Sequence, residues 1–167
     1  DEACALLPRV AHPLLPVKFI ASLARRGRAT TALMVARARA PSSSDTEAIG
    51  LDVSIRLACG LIAEAFIAVR DAFKKFPELR GDSKSGAYLV SLLLDHGVEK
   101  LCLDKVLELP FYGEMEKLLL DLLWARRSEV PVETGILYLL NRGRALEASA
   151  LFSKARSEGR LEDEHAV

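Results

Sequence analysis

Apolar residues recur every three or four positions along most of the chain, which is the period of an amphipathic helix. No stretch alternates apolar and polar residues as a half-buried strand would. The pattern therefore predicts an all-α domain. Residues 2–7 are predicted to end one helix. The other predicted helices cover residues 14–26, 29–39, 46–59, 61–76, 86–96, 98–108, 113–126, 131–142 and 144–158.

Two segments rich in turn-forming residues interrupt the helical pattern. The segment APSSSDT, residues 40–46, is predicted to be a loop in which Ser44 or Asp45 caps the next helix. The segment PELRGDSKSG, residues 77–86, is predicted to be a second loop. The polar tail over residues 159–167 is expected to fray.

Four glycines each follow an apolar helical pattern, and a small residue follows each glycine after five positions. The glycines are Gly27, Gly60, Gly97 and Gly143, and the small residues are Ala32, Ala65, Cys102 and Ala148. A glycine between two helices supplies the positive φ that ends the first helix, and a small residue lets the second helix pack closely on it. The spacing of these units is typical of two-helix repeats. We therefore predict an irregular series of helix hairpins, similar to an α-solenoid.

Composition excludes several classes of function. The 167 residues include 23 basic and 23 acidic side chains, so no net charge draws the chain to nucleic acid or to a membrane surface. Three cysteines are too few for a disulfide framework and lack the spacing of a zinc site. No apolar run is long enough to cross a bilayer, and membrane insertion is not expected.

These properties predict one helical domain over residues 1–158. Because the sequence opens without methionine and inside a helical pattern, we expect a piece of a longer protein whose first hairpin is truncated.

Basic residues cluster where the first two predicted helices meet. Arg25, Arg26 and Arg28 surround the first turn, and Arg37 and Arg39 follow on the next helix. This patch is a candidate surface for an acidic protein partner. Nucleic acid is not expected, because no aromatic residues are interleaved with the arginines. The alternative is a solvated face whose cations stabilise helix C-termini.

The stretch LELPFYGEMEKLLLDLLW, residues 107–124, is the second candidate interaction surface. Proline breaks the helix after Leu109, and Phe111 and Tyr112 follow directly. The next helix is apolar on most of its circumference, which indicates burial either between helices or under a partner. Leu109, Phe111 and Tyr112 are the residues predicted to contact a partner there.

Catalytic and binding motifs are weak in this sequence. Asp95 and His96 are adjacent on a predicted helix, point in different directions and have no nucleophile motif beside them. The tripeptide at residues 80–82, Arg-Gly-Asp, is common by chance. We expect no catalytic residue, metal or cofactor in this chain, and hence no enzyme activity of its own.

Several segments together resemble one known family. They are ALMVARARAP, EAIGLDVSIRLACGLIAEAFIAVR, VLELPFYGEMEKLLL and ILYLLNRGRALEASAL, with CGLIAEAF and LELPF as the most specific pieces. In this order they resemble the ELYS-like domain family over roughly residues 12–156. The family includes a nucleoporin and a plant RING-type ubiquitin ligase associated with the nuclear pore, and the chain is slightly more similar to the ligase.

The resemblance implies a helical scaffold that docks onto the Y-shaped outer-ring complex of the nuclear pore. Its implied partners are outer-ring nucleoporins, and its implied location is the nuclear envelope. One alternative is a domain that positions substrates or partners for the plant ubiquitin ligase, whose RING would lie outside this chain. A second alternative is a generic helical-repeat adaptor.

Overall fold

The computed structural model describes residues 15–37, 45–81, 83–126 and 128–159. Within these ranges the chain forms ten α-helices and no strand, which confirms the all-α prediction. The predicted helix at residues 2–7 and residues 160–167 of the predicted tail lie outside the described ranges. The helices are α1 (Leu15–Arg25), α2 (Ala29–Arg37), α3 (Thr46–Ala58), α4 (Ile62–Lys75), α5 (Glu78–Gly81), α6 (Ser83–Glu99), α7 (Leu103–Leu107), α8 (Gly113–Ala125), α9 (Val132–Asn141) and α10 (Ala145–Ser157).

The helices pack mainly on their neighbours in sequence. Four hairpins are formed by α1 with α2, α3 with α4, α6 with α7, and α9 with α10. Between them, α3 packs on α6, α6 packs on α7 and α8, and α8 packs on α9. One main core extends from α3 to α10, and a smaller apolar cluster lies between α1, α2 and α3. The predicted similarity to a solenoid stays a prediction.

Three of the four hairpin turns are built on glycine. Gly27, Gly60 and Gly143 have φ of 71°, 75° and 71°, in the left-handed region that glycine adopts without a steric cost. In each turn the glycine N–H donates to the carbonyl three residues earlier. The N–H of the following residue donates to the carbonyl five residues earlier. This is the hydrogen-bond pattern of a Schellman C-cap, which ends one helix and starts the next.

The residue five positions after each of these glycines is buried. Ala32, Ala65 and Ala148 are 0%, 0% and 2% exposed. Each lies in the first turn of the second helix, and its N–H donates to the carbonyl of the residue that follows the glycine. A side chain larger than a methyl group has little room at such a contact between helices.

The fourth turn differs from the sequence prediction, which placed it at Gly97. Gly97 lies inside α6, where an added Cβ would approach Val106 Cγ2 to 3.0 Å, so this glycine allows close packing of α7. The left-handed residue is Leu101, with φ of 53°. Leu101 N donates to Val98 O at 3.2 Å, and Cys102 N donates to Gly97 O at 2.8 Å, as in the glycine turns. The predictions for Gly97 as the turn and Cys102 as the packing residue are therefore wrong.

Val106 occupies the packing position of this fourth hairpin. It lies five residues after Leu101 and is 0% exposed, whereas Cys102 is half-buried and precedes α7. The sequence rule failed because it required glycine at the turn, and here a leucine adopts the same conformation.

The second predicted loop is largely helical. Residues 78–81 form α5 and residue 83 begins α6. Leu79 is 2% exposed and holds α5 on the core, and Arg80 Nε donates to Phe73 O at 2.8 Å. Burial of one leucine therefore outweighs the turn-forming composition of this segment.

Residues 40–44 of the first predicted loop lie outside the described ranges, and Asp45, one of the two predicted caps, lies within them. Asp45 is the N-cap of α3, and its side chain accepts a hydrogen bond from Glu47 N at 3.0 Å. This contact satisfies one of the amide groups that a helix leaves unpaired at its start.

Substitution at the packing positions tests the revised register of the hairpins. We expect Val106→Arg to unfold the domain or to reduce its stability by several kcal/mol, because a guanidinium cannot enter the contact between α6 and α7. Cys102→Arg should cost roughly 1 kcal/mol or less, since Cys102 is half-buried. Ala65→Arg and Ala148→Arg should behave like Val106→Arg. Thermal unfolding followed by circular dichroism ranks the stabilities of these variants. Equal losses of stability from Cys102→Arg and Val106→Arg would contradict the revised register.

Candidate docking surface

The aromatic stretch after α7 is divided between core and surface. Phe111 is 1% exposed, and its ring meets the ring of Phe66 edge-on, with the centroids 5.0 Å apart. The prediction that Phe111 contacts a partner is therefore wrong, because the ring fills the core between α4 and α8. Leu109 is half-buried and packs against the same core. Tyr112 is 53% exposed and lies on the surface.

An arginine that the sequence did not indicate holds this stretch in place. Arg142 Nη2 donates to Leu109 O at 2.6 Å, and Arg142 Nη1 donates to Phe111 O at 3.0 Å. Its guanidinium also lies over the Tyr138 ring, 5.0 Å from the centroid. Two carbonyls that no helix satisfies thus receive charged donors, which are stronger than neutral ones. Arg142 is a structural residue that ties the start of α8 to the end of α9.

A polar network continues from this clamp along α8 and α10. Tyr138 Oη donates to Glu116 Oε1 at 3.1 Å, and Arg144 Nη1 pairs with Glu116 Oε2 at 2.8 Å. Arg144 Nε also donates to Glu147 Oε1 at 2.7 Å. Burial, the largest influence, and Glu116 raise the pKa of Tyr138 to about 12, although Arg142 opposes the shift. The hydrogen bond from Arg144 lowers the pKa of Glu147.

The structure divides the predicted basic patch. Arg25, Arg26 and Arg28 are exposed around the first hairpin turn, and Arg25 Nε donates weakly to Ala21 O at 3.4 Å. Arg37 lies at the opposite end of α2, where its guanidinium pairs with Glu64 at 2.5 Å. Arg39 lies outside the described residues. Among the described residues, the three arginines at the turn are therefore separated from Arg37, which is exposed but paired with Glu64.

An apolar groove of about 450 Å³ lies along α4 and was not predicted. Its α4 side presents Ile67, Ala68 and Ala72, and its opposite side comes from α3 through Ile49 and Leu51. Ile20 of α1 and Ala36 of α2 also line it, as do Arg37, Ala48, Asp52, Arg56, Glu64, Asp71, Lys75 and Phe76. Helix α4 thus has apolar residues on two faces, one in the core and one in this groove.

Ion pairs border one end of the groove. Glu64 Oε2 accepts from Arg37 at 2.5 Å and lies 3.9 Å from Arg56 Nε, and Arg56 also pairs with Asp52. Because Arg37 and Glu64 are each about half exposed, we expect the Arg37–Glu64 pair to contribute less than about 1 kcal/mol to stability. The apolar lining and these ion pairs together give the groove the anatomy of a protein interface, with an apolar centre and a charged rim.

One signal in the sequence could have indicated the groove. Glu64, Ile67, Ala68, Asp71 and Lys75 recur at helical intervals on one face of α4. The strongly apolar core face, with Phe66, Val69 and Phe73, hides this second face in the sequence pattern.

The Asp95 and His96 pair has a structural explanation. The Asp95 carboxylate pairs with the guanidinium of Arg126 and so links α6 to the end of α8. Burial lowers the pKa of His96, and the nearby Lys100 adds to that shift. Within the described ranges, no three histidine, cysteine or acidic side chains come together as a metal-binding group.

No helix among the described residues is both long enough and apolar enough to span a membrane.

Comparison with known proteins supports the family suggested by the sequence segments. A family model described as ELYS, nuclear pore complex assembly, matches residues 1–126. The chain belongs to this family. The match ends at the residue after α8, although Tyr138, Leu139 and Ala148 of α9 and α10 belong to the same main core.

Family membership relates the chain to nuclear pore assembly, to nucleoporin partners and to the nucleus. No curated protein and no solved structure matches the chain.

Separate substitutions at the two adjacent aromatics test their different roles. Phe111→Ser should reduce stability by roughly 3–5 kcal/mol, because it removes a ring from the core. Tyr112→Ser should change stability by less than about 0.5 kcal/mol, because most of that side chain is in solvent. Urea unfolding of both variants measures the difference. Equal stabilities would show that Phe111 is not part of the core.

The raised pKa of Tyr138 predicts an effect of alkaline pH. The folded state holds the phenol neutral up to about pH 12, whereas the unfolded state releases the proton near the ordinary tyrosine pKa of 10. The stability contributed by Tyr138 is therefore complete below pH 10 and is lost as the pH rises from 10 to 12. Tyr138→Phe should lose less stability over that interval. The free energies of unfolding of both proteins are measured at about pH 9, 10 and 11. Parallel curves of free energy against pH would contradict this prediction.

Proposed function

We propose that this chain is a non-catalytic docking domain that tethers its parent protein to the outer-ring Y complex of the nuclear pore. The observation that carries the proposal is the family match over residues 1–126. The quoted sequence segments, which resemble the ELYS-like domain, point in the same direction. Assembly of a large pore requires domains that recognise other proteins, and a packed helical domain offers a rigid surface for this task.

The groove along α4 is the surface that fits this function. Docking there would cover Ile67, which is 43% exposed although it is a large aliphatic residue. The lining between Glu64 and Lys75 extends over about three turns of α4, or roughly 16 Å. This length suits three turns of an amphipathic helix laid along the groove. We therefore take the occupant to be an amphipathic helix of an outer-ring nucleoporin.

The charges at the rim support a protein occupant. The lining contains three basic residues, Arg37, Arg56 and Lys75, and three acidic ones, Asp52, Glu64 and Asp71. Such a balanced rim does not attract a polyanion such as nucleic acid. It can form complementary contacts with the mixed charges on the polar flanks of a helix, which favour one register over others.

The proposed absence of catalysis agrees with the use of the polar side chains. Asp95 is paired with Arg126, and Glu116 is shared by Tyr138 and Arg144. These interactions link helices to one another. The contribution to a ubiquitin ligase and the slight similarity to the plant protein stay predictions, as does the generic adaptor.

A charge placed in the groove tests the proposed surface. Ile67→Glu should weaken binding to a purified outer-ring Y complex by roughly tenfold or more, because a carboxylate would be desolvated in an apolar interface. Stability should change by less than about 1 kcal/mol, since Ile67 is partly exposed. Affinity is measured by biolayer interferometry, with thermal unfolding of the same samples.

Ala63→Glu is the matched control, because Ala63 is exposed on α4 and does not line the groove. It should bind like the parent chain. If Ile67→Glu binds equally well, the groove is not the docking surface. If the parent chain itself does not bind the Y complex, the proposed tethering is wrong and a generic adaptor becomes the better explanation.

A further inference from the structure

Leu101 combines two unfavourable features. With φ of 53°, it is the only described residue other than glycine with a positive φ. An L-amino acid in this region places its Cβ close to the following carbonyl oxygen, which is a steric cost. The side chain is also 93% exposed, the highest value among the large hydrophobic residues described. The conformation of Leu101 therefore has a steric cost that burial of its side chain within this chain does not offset.

The other three hairpins provide an internal comparison. They make the same turn and the same pair of backbone hydrogen bonds with glycine at the corresponding position, residues 27, 60 and 143. Glycine would therefore satisfy the backbone at position 101. The leucine side chain is unnecessary for the turn, and the buried contact of this hairpin is made by Val106 instead.

The residues around Leu101 indicate the chemistry of what would cover it. Glu99 and Lys100 precede it, and Asp104 and Lys105 follow it, all four of them exposed. Two acidic and two basic side chains give no local excess of positive charge. A nucleic acid or an anionic membrane surface would require such an excess. An apolar pocket on a protein, bordered by polar groups, fits an isolated leucine among balanced charges.

We propose that Leu101 is a docking anchor that inserts into an apolar pocket of a protein partner. The anchor is separate from the α4 groove, since neither α6 nor α7 contributes a lining residue there. The identity of the partner rests on the proposed function, and the partner is therefore an outer-ring nucleoporin. The strained turn presents the side chain away from the domain, and binding buries it. A backbone outlier retained at an exposed turn is consistent with such a role.

Leu101→Gly separates this role from a role in folding. The variant removes the steric cost, so its Tm should rise by roughly 1–4 °C, net of the larger entropy of glycine in the unfolded state. It also removes the anchor, so its affinity for the purified Y complex should fall by roughly tenfold or more. Leu101→Asn, which tolerates the left-handed region, should lose affinity in the same way.

Leu146→Ala is the control for exposure alone. Leu146 is 89% exposed but lies in the regular helix α10, so its truncation should leave both affinity and Tm near those of the parent. A gain in Tm together with a loss of affinity at position 101 supports the anchor.

Four results would overturn the inference. If the parent binds and Leu101→Gly binds equally well, Leu101 is not an anchor, and the proposed function stands. If Leu101→Gly is less stable than the parent, the leucine supports the fold itself. If the parent does not bind the Y complex, the partner named for Leu101 is wrong together with the proposed function. The fourth result comes from vesicles of neutral phosphatidylcholine. If the parent binds them and Leu101→Gly does not, Leu101 inserts into a membrane instead of a protein pocket.

Discussion

The buried contact at the start of the second helix in each hairpin is the constraint on which the rest of the fold depends. A left-handed residue ends the first helix and reverses the chain, and five residues later a fully buried side chain sets how closely the second helix approaches. That side chain is alanine in three hairpins and Val106 in the fourth. Because interiors are close-packed, a change of a few atoms there displaces a whole helix. The α4 groove and the position of Leu101 both follow from these turns.

The hairpin of α3 and α4 shows how the same constraint produces a surface. Close packing at Ala65 directs Phe66 into the core, where it meets Phe111. The opposite flank of α4 is then left with Ile67 and its apolar neighbours beside α3, bordered by the paired side chains of Arg37 and Glu64. The packing of α4 on α3 thus produces both the core face and the groove face of α4. Rigidity of this kind lowers the entropic cost of binding a partner.

Helical periodicity was sufficient to predict the all-α class and most of the helices, because apolar spacing and glycine punctuation are local signals. Tertiary contacts decided the rest. Leu79 makes part of a polar, glycine-containing segment helical by packing on the core. Leu101 is a separate case, because its side chain is 93% exposed and it still adopts a conformation that sequence rules assign to glycine. The proline before Phe111 is compatible with an aromatic residue at the surface. The burial of Phe111 depends instead on Phe66, which lies 45 residues earlier in the chain. The groove depends on the relative positions of four helices, which no short segment encodes.

The central claim is that the chain docks onto the outer-ring Y complex through the α4 groove, and site-specific photocrosslinking tests it most directly. A benzophenone amino acid is placed at position 67 in the groove or at position 63 on the exposed side of the same helix. Each protein is irradiated with the purified Y complex, and the products are identified by mass spectrometry. The account predicts a crosslink to an outer-ring nucleoporin from position 67 and little from position 63. Binding of the Y complex with no crosslink from position 67, or with equal crosslinking from both positions, would contradict it.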